Sequence, residues 1–220
     1  MFTAGVLRPS EAGWLRRSSS FGGRERELIT LPFANFAATK PVAMASGASI
    51  LIRDAGEVDA EEIAAIYAHH VLHGTASYDT EPPTDEYFRE KIRWVLGSGW
   101  PFLVAEGDDG IVGYAYVTQF RDRAAYRWTA ENSIYIRHDR LGAGVGKALL
   151  QKLLDRSETY GFRQMIAVIG GGAEASVRLH ASCGFRECGR LHAAGWKHGR
   201  WLDTVYMQKA LGHGSATAPE

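Results

Sequence analysis

A chain of 220 residues, 45% hydrophobic and 23% charged, is long enough to bury one substantial core, so a single domain is the expectation. Its formal net charge of zero argues against an electrostatic wrap around nucleic acid or an anionic membrane surface. No apolar run reaches bilayer length and no secretory signal opens the chain, which points to the cytoplasm; Cys183 and Cys188 give neither a metal spacing nor a disulfide framework.

Residues 1–48 mix Arg, Ser, Gly and Pro without helical or strand periodicity and are read as a poorly ordered extension. Met44 stands just before the first strand, so a start of translation assigned too early is one reading of that extension. A strand over Ile50–Arg53 is followed by a helix from about Asp59, on which Ile63, Ile66, Tyr67 and Val71 recur at helical spacing. HGTASYDTEPPT interrupts it as a loop. A second helix, Asp85–Leu96, carries Tyr87, Phe88, Ile92 and Val95 as its apolar positions, and SGWP ends it. Two strand-like runs then flank Gly107-Asp108-Asp109-Gly110, a strong hairpin signal, with Tyr114 and Tyr116 on one face of the second run as core packing requires. RWTAENSIYI supplies another strand. A helix over Gly144–Tyr160, closed by Gly161, leads to the strand MIAVIG, a helix of about Ala173–Ser182, and a last pair of strands, Arg186–Ala193 and Asp203–Gln208. The pattern is a mixed α/β domain over residues 49–211, mostly in meander order, with 212–220 as a flexible tail.

The stretch RHDRLGAGVGKALL, Arg137–Leu150, runs a glycine-rich turn into a helix. Such a turn lets backbone N–H groups converge, and the helix start adds a positive dipole end, so its natural guest is a phosphate. A P-loop spacing fails, because Leu141 falls at the first glycine and Ala148 at the magnesium-binding hydroxyl. A dinucleotide fingerprint fails too, since Gly142-x-Gly144 meets Lys147 where the third glycine belongs. From this stretch alone, a tightly packed helix start with no ligand is an equal reading.

The neighbours add to it. ENSIYIRHDRLGAGVGKALL followed by MIAVIGGGAEASVRLHASCGF resembles the acetyl-CoA-binding core of the GCN5-related N-acetyltransferases. With TASYDTEPPT, AYRWTAENSIYI and AAGWKHGRWLD in order, residues 50–210 resemble the phosphinothricin and methionine sulfoximine acetyltransferase group of that superfamily. The resemblance implies a mostly antiparallel central sheet with splayed middle strands and about four helices. It implies acetyl-CoA as co-substrate, with Ile134, Tyr135 and Ile136 facing the pantetheine arm and Gly142, Ala143, Gly144, Val145, Gly146 and Lys147 at the pyrophosphate. Ala173 and Ser176 would meet the coenzyme at the start of the later helix. Two departures from the family pattern are Leu141, where a polar side chain is usual, and Ala173, where Asn is usual.

The same resemblance makes Glu131 the catalytic glutamate and His180 the histidine that assists proton transfer or orients the substrate. Without it, Glu131 reads as a strand-edge charge and His180 as a packed histidine. Tyr78, Arg123 and Tyr126 match substrate-side positions, with Arg121 and Arg127 as nearby alternatives. His69 and His73 have the spacing of half a metal site, but no third ligand accompanies them and no metal is called for. Trp196 and Trp201 read either as a homodimer contact or as core packing. The implied activity is acetyl-CoA-dependent N-acetylation of a small amino acid or analogue, with no nucleic-acid or membrane partner. The alternatives are a coenzyme-binding regulator of the same fold without catalysis, an acetyltransferase for a different amine, and a nucleotide-binding phosphotransferase, against which the failed P-loop spacing argues.

Overall fold

A computed structural model describes residues 41–43 and 49–219, so the extension expected over 1–48 lies outside the described residues except for its last short strand. The elements in order are β1 (Val42–Ala43), β2 (Ser49–Asp54), α1 (Ala60–His73), α2 (Asp85–Gly97), β3 (Phe102–Gly107), β4 (Gly110–Gln119) and β5 (Thr129–Ile136). They continue as α3 (Val145–Tyr160), β6 (Gln164–Gly170), α4 (Glu174–Ser182), β7 (Arg186–Lys197) and β8 (Arg200–Ala210). The element types after residue 48 follow the sequence reading, whereas β1 is a correction to it: Val42–Ala43 pairs antiparallel with β2 inside the segment read as a poorly ordered extension. The last two strands are longer than their apolar runs, because they form one hairpin closed at His198-Gly199, both with left-handed φ.

The sheet runs β1-β2-β3-β4-β5-β6-β8-β7, and every neighbouring pair is antiparallel except β5–β6. That parallel pair is short. It registers Thr129 with Gln164 through Asn132 with Ala167 and then stops, while β4 accompanies β5 to Ile136 and β8 accompanies β6 to Gly170. The sheet therefore splays beyond Asn132, leaving the β6-facing edge of Ser133–Ile136 without a strand partner.

Period-two alternation divides the side chains of β4 and β5 between two cores. Ala115, Val117, Ala130, Ile134 and Ile136 pack with α3 and α4 on one face. Tyr114, Tyr116 and Tyr135 pack with Ile63, Phe88 and Ile92 of α1 and α2 on the other. Full burial of each large apolar side chain contributes about 2 kcal/mol. Tyr114 and Tyr116 stack within this second core. The start of α1 is anchored by Arg53, whose two Nη atoms donate to Asp59 at 2.7 and 2.8 Å. Thr84 caps α2 by accepting from Tyr87 N at 3.3 Å, and Gly161 closes α3 in the left-handed region, where glycine carries no Cβ penalty.

Candidate active site

The splay opens a cleft of ≈220 Å³ whose walls include Tyr78, Glu131, Asn132, Ser133, Ile134, Tyr135, Gly170, Ala173, Ser176 and His180. Seven of the residues singled out from the sequence meet there: Tyr78, Glu131, Ile134, Tyr135, Ala173, Ser176 and His180. A larger and more open cavity of ≈470 Å³ lies between the end of α1 and the β7–β8 turn. It touches neither Glu131 nor the splay, so the chemistry belongs to the smaller cleft.

Glu131 lies opposite Thr118 on β5, and alternation places it on the α1–α2 side with Ser133 and Tyr135. Its carboxyl is half-buried, and burial raises its pKa above the ordinary carboxylate value against the opposing charges of Arg121 and Lys91. Arg121 Nη1 stands 3.7 Å from Glu131 Oε2, with its guanidinium over the Phe120 ring at 4.0 Å. Arg123, the arginine singled out from the sequence, is exposed; its backbone starts a 3-10 turn and its carbonyl accepts from Gln119 Nε2. Tyr126 lies edge-on to Phe120 at 5.7 Å. None of Arg121, Arg123 and Tyr126 is part of the cleft wall itself. The arginine beside the carboxylate is Arg121.

Tyr78 crosses from the α1–α2 loop to β8, donating its hydroxyl to Asp203 O at 2.9 Å and sharing a 2.7 Å hydrogen bond with Thr204 Oγ1. Its ring covers Gly195, where a Cβ would collide with it. A bulge in β7 between Leu191 and Gly195, pinned by Ala193 N donating to Asp203 Oδ1 at 3.0 Å, sets that approach. Lys197, buried nearby, donates to Ser77 O at 2.8 Å and holds the same loop. The phenol is thus fixed, with its ring as wall and its oxygen engaged on β8.

His180 occupies the other face. It is 1% exposed, edge-on to Phe185, and burial lowers its pKa below the usual imidazole value. Nδ1 stands 2.8 Å from Ser176 O, which places the ring hydrogen on Nδ1 and leaves a lone pair on Nε2. Nε2 lies 3.1 Å from the Asn132 side-chain amide, whose Nδ2 is buried without a partner in the orientation that turns Oδ1 to the ring. Turning that amide over lets Nδ2 donate to Nε2, so one rotation supplies the donor and the acceptor together. Alternation carries Asn132 to the α3–α4 side, opposite Glu131.

At the glycine turn, Gly142 (φ 77°) and Gly144 (φ 89°) hold left-handed conformations that L side chains rarely adopt. No side chain caps α3, and its first intrahelical bond is Ala148 N to Gly144 O at 3.2 Å. The amides of Val145, Gly146 and Lys147 therefore head the helix without i−4 acceptors, as a diphosphate requires. Gly146 has a second reason to be glycine: a Cβ there would press Leu179 of α4 at 3.2 Å. Leu141 is 62% exposed at the turn's entrance and Lys147 is also exposed. Ala173 starts α4 without a side-chain cap. Uncapped donors at one end and an unpaired strand edge at the other fit an extended, amide-bearing arm that ends in a diphosphate, as in coenzyme A. Among the remaining residues, His69 stacks on His138 at 3.9 Å, and Trp196 and Trp201 stand outside the core, 58% and 63% exposed.

The sequence reading missed Asn132, Lys91 and the placement of Arg121. Asn132 adjoins Glu131, but its partner is set only when α4 packs on the sheet. Lys91 sits on α2 among apolar positions and has no motif of its own.

Comparison with known proteins agrees with this geometry. Residues 52–206 match the model of the acetyltransferase (GNAT) domain. The chain is 49% identical to a phosphinothricin N-acetyltransferase of Alcaligenes faecalis, over 77% of this chain and 86% of that protein. It is 39% identical to an L-methionine sulfoximine/L-methionine sulfone acetyltransferase of Pseudomonas paraeruginosa, over 74% of this chain and 95% of that protein. Among solved structures, a phosphinothricin acetyltransferase from Sinorhizobium meliloti in complex with AcCoA superposes with a TM-score of 0.76 at 45% identity, covering 78% of this chain and 93% of that one. The split sheet, the glycine turn and these relatives agree: the chain belongs to the GNAT acetyltransferase family.

Proposed function

We propose that the protein transfers an acetyl group from acetyl-CoA to the α-amino group of a small amino-acid analogue of the phosphinothricin or methionine sulfone kind. The observation that carries this reading is Glu131, a half-buried carboxylate of raised pKa at the mouth of a split sheet whose far end presents uncapped amides. Similarity to N-acetyltransferases for those compounds supports the substrate class.

The co-substrate supplies the acetyl group as a thioester. The amides of Val145, Gly146 and Lys147 hold its pyrophosphate, and the edge of Ile134–Ile136, where His70 Nε2 already meets the Ile136 carbonyl at 2.8 Å, pairs with its arm through its remaining groups. On the other face the amine arrives as an ammonium, since a free α-amine is largely protonated at neutral pH. Glu131 accepts that proton, directly or through one water, and leaves the nitrogen lone pair free to attack the thioester carbonyl; as the C–N bond forms the C–S bond breaks, and CoA departs as a thiol carrying the second proton shed by the nitrogen. Arg121, beside Glu131, holds the α-carboxylate, which in an amino acid lies one carbon from the amine. The Tyr78 ring walls the side chain. His180 acts as a positioning residue: its bonds to Ser176 and Asn132 fix β5 where the sheet opens. The exposed Trp196–Trp201 pair, rings 5.3 Å apart, is the face through which two copies associate as a homodimer.

The test is release of thiol from acetyl-CoA with phosphinothricin, methionine sulfoximine, methionine sulfone, aromatic amino acids and polyamines. Turnover with the first three is expected. Binding of acetyl-CoA with no thiol released by any amine would make the protein a coenzyme-binding regulator.

A further inference from the structure

Among the described residues Lys91 has no carboxylate within ion-pair distance; its close partners are phenols. It projects from α2 one turn after Tyr87, its ammonium donates to Tyr87 Oη at 3.1 Å, and it lies 5.2 and 4.9 Å from the centroids of the Tyr87 and Tyr116 rings. These two phenols act most strongly on its charge, and the Glu131 carboxylate acts on it from beyond contact distance. Burial disfavours the charge, yet the phenolic oxygens hold its pKa above the ordinary lysine value, so the ammonium stays protonated. An ammonium has three donors and one of these bonds leaves capacity for a guest oxygen. A largely desolvated cation in an aromatic box with no carboxylate in contact is costly to keep for packing alone, where Met or Leu would fill the same space.

Its place in the sheet says what the guest is. Tyr116 pairs with Ser133, two residues along β5 from Glu131, and those side chains share the α1–α2 face. At about 3.4 Å per residue, the Tyr116–Ser133 pair stands about 7 Å from Glu131 along the strand. An α-amino acid with a two-carbon linker to a second acid group covers that interval, with its amine at Glu131. Lys91 also lowers the Glu131 pKa through space, which puts both charges in one electrostatic field.

We propose that Lys91, boxed by Tyr87 and Tyr116, receives the side-chain oxyanion of the substrate and gives the protein its preference for acidic over neutral amino-acid analogues. This rests on the acetyl-transfer reading above and specifies its substrate class: phosphinothricin carries a phosphinate where methionine sulfone, of nearly the same shape, carries a neutral sulfone.

The test is kcat and KM for phosphinothricin and methionine sulfone with the wild-type chain and with Lys91→Met, Lys91→Gln and Lys91→Arg, together with thermal melting of each. The expected result is a KM for phosphinothricin raised at least tenfold in the Met and Gln variants, methionine sulfone kinetics within about threefold of wild type, and recovery of the phosphinothricin preference in the Arg variant. Equal loss for both analogues, whether with a lower melting temperature or with a shifted acid limb of the pH profile, would overturn the proposal and make Lys91 a structural or electrostatic neighbour of Glu131. Unchanged kinetics with both would overturn it as well. A wild-type chain that acetylates neither analogue would sink the acetyl-transfer reading itself, and the Lys91 proposal with it.

Discussion

On the α3–α4 side of β5 the proposed ligand groups are backbone: the amides heading α3, the left-handed glycines 142 and 144, and the edge after Asn132 that has no strand partner. On the α1–α2 face they are side chains drawn from separate elements: Glu131 from β5, Arg121 from the loop after β4, Lys91 from α2 and Tyr78 from the α1–α2 loop. A backbone site depends on conformation and tolerates changes of side chain, so Leu141 and Ala173 depart from the family pattern without removing a donor. A side-chain site changes its guest with one substitution. In the proposed reading the co-substrate takes the backbone half and the amine the side-chain half.

Two substitutions separate these halves. Gly144→Val forces a β-branched residue into φ 89°, a strain of about 1–3 kcal/mol that moves the first amides of α3. Acetyl-CoA binding measured by calorimetry should weaken roughly tenfold to a hundredfold, while KM for the amine holds. Gly195→Ala is the milder reverse case. Its methyl displaces the Tyr78 ring, whose hydroxyl is held by β8, at a cost of about 1 kcal/mol. KM for the amine should rise roughly fivefold with acetyl-CoA affinity unchanged. If either variant shifts both constants together, the two faces are not independent.

The same contrast explains what could be read before the structure was known. The order of strands and helices, the hairpin at 107–110 and the glycine turn were legible, because periodicity, turn residues and left-handed glycines are local properties. The backbone half of the site follows from them directly. The amine side depends on packing between elements distant in sequence. Arg121 and Arg123 lie two residues apart in one loop, and nothing local decides which turns toward Glu131. The Tyr78 contact with Gly195 spans more than half of the domain and depends on a β7 bulge that no periodicity announces. Lys91 is an ordinary helix lysine until Tyr116 closes over it.

The role of Glu131 is where the account is most directly exposed. Because burial raises its carboxyl pKa, the ionised base is present above that raised value and is lost as pH falls through it, so wild-type kcat/KM should decline on the acid side earlier than an ordinary glutamate would cause. The decisive measurement is kcat/KM for phosphinothricin from pH 5 to 9 in the wild-type chain and in Glu131→Gln. A fall of about 10²–10⁴-fold in the variant, with its acid limb abolished, is the predicted result. A variant that keeps both the rate and the acid limb would contradict the account and move the base elsewhere.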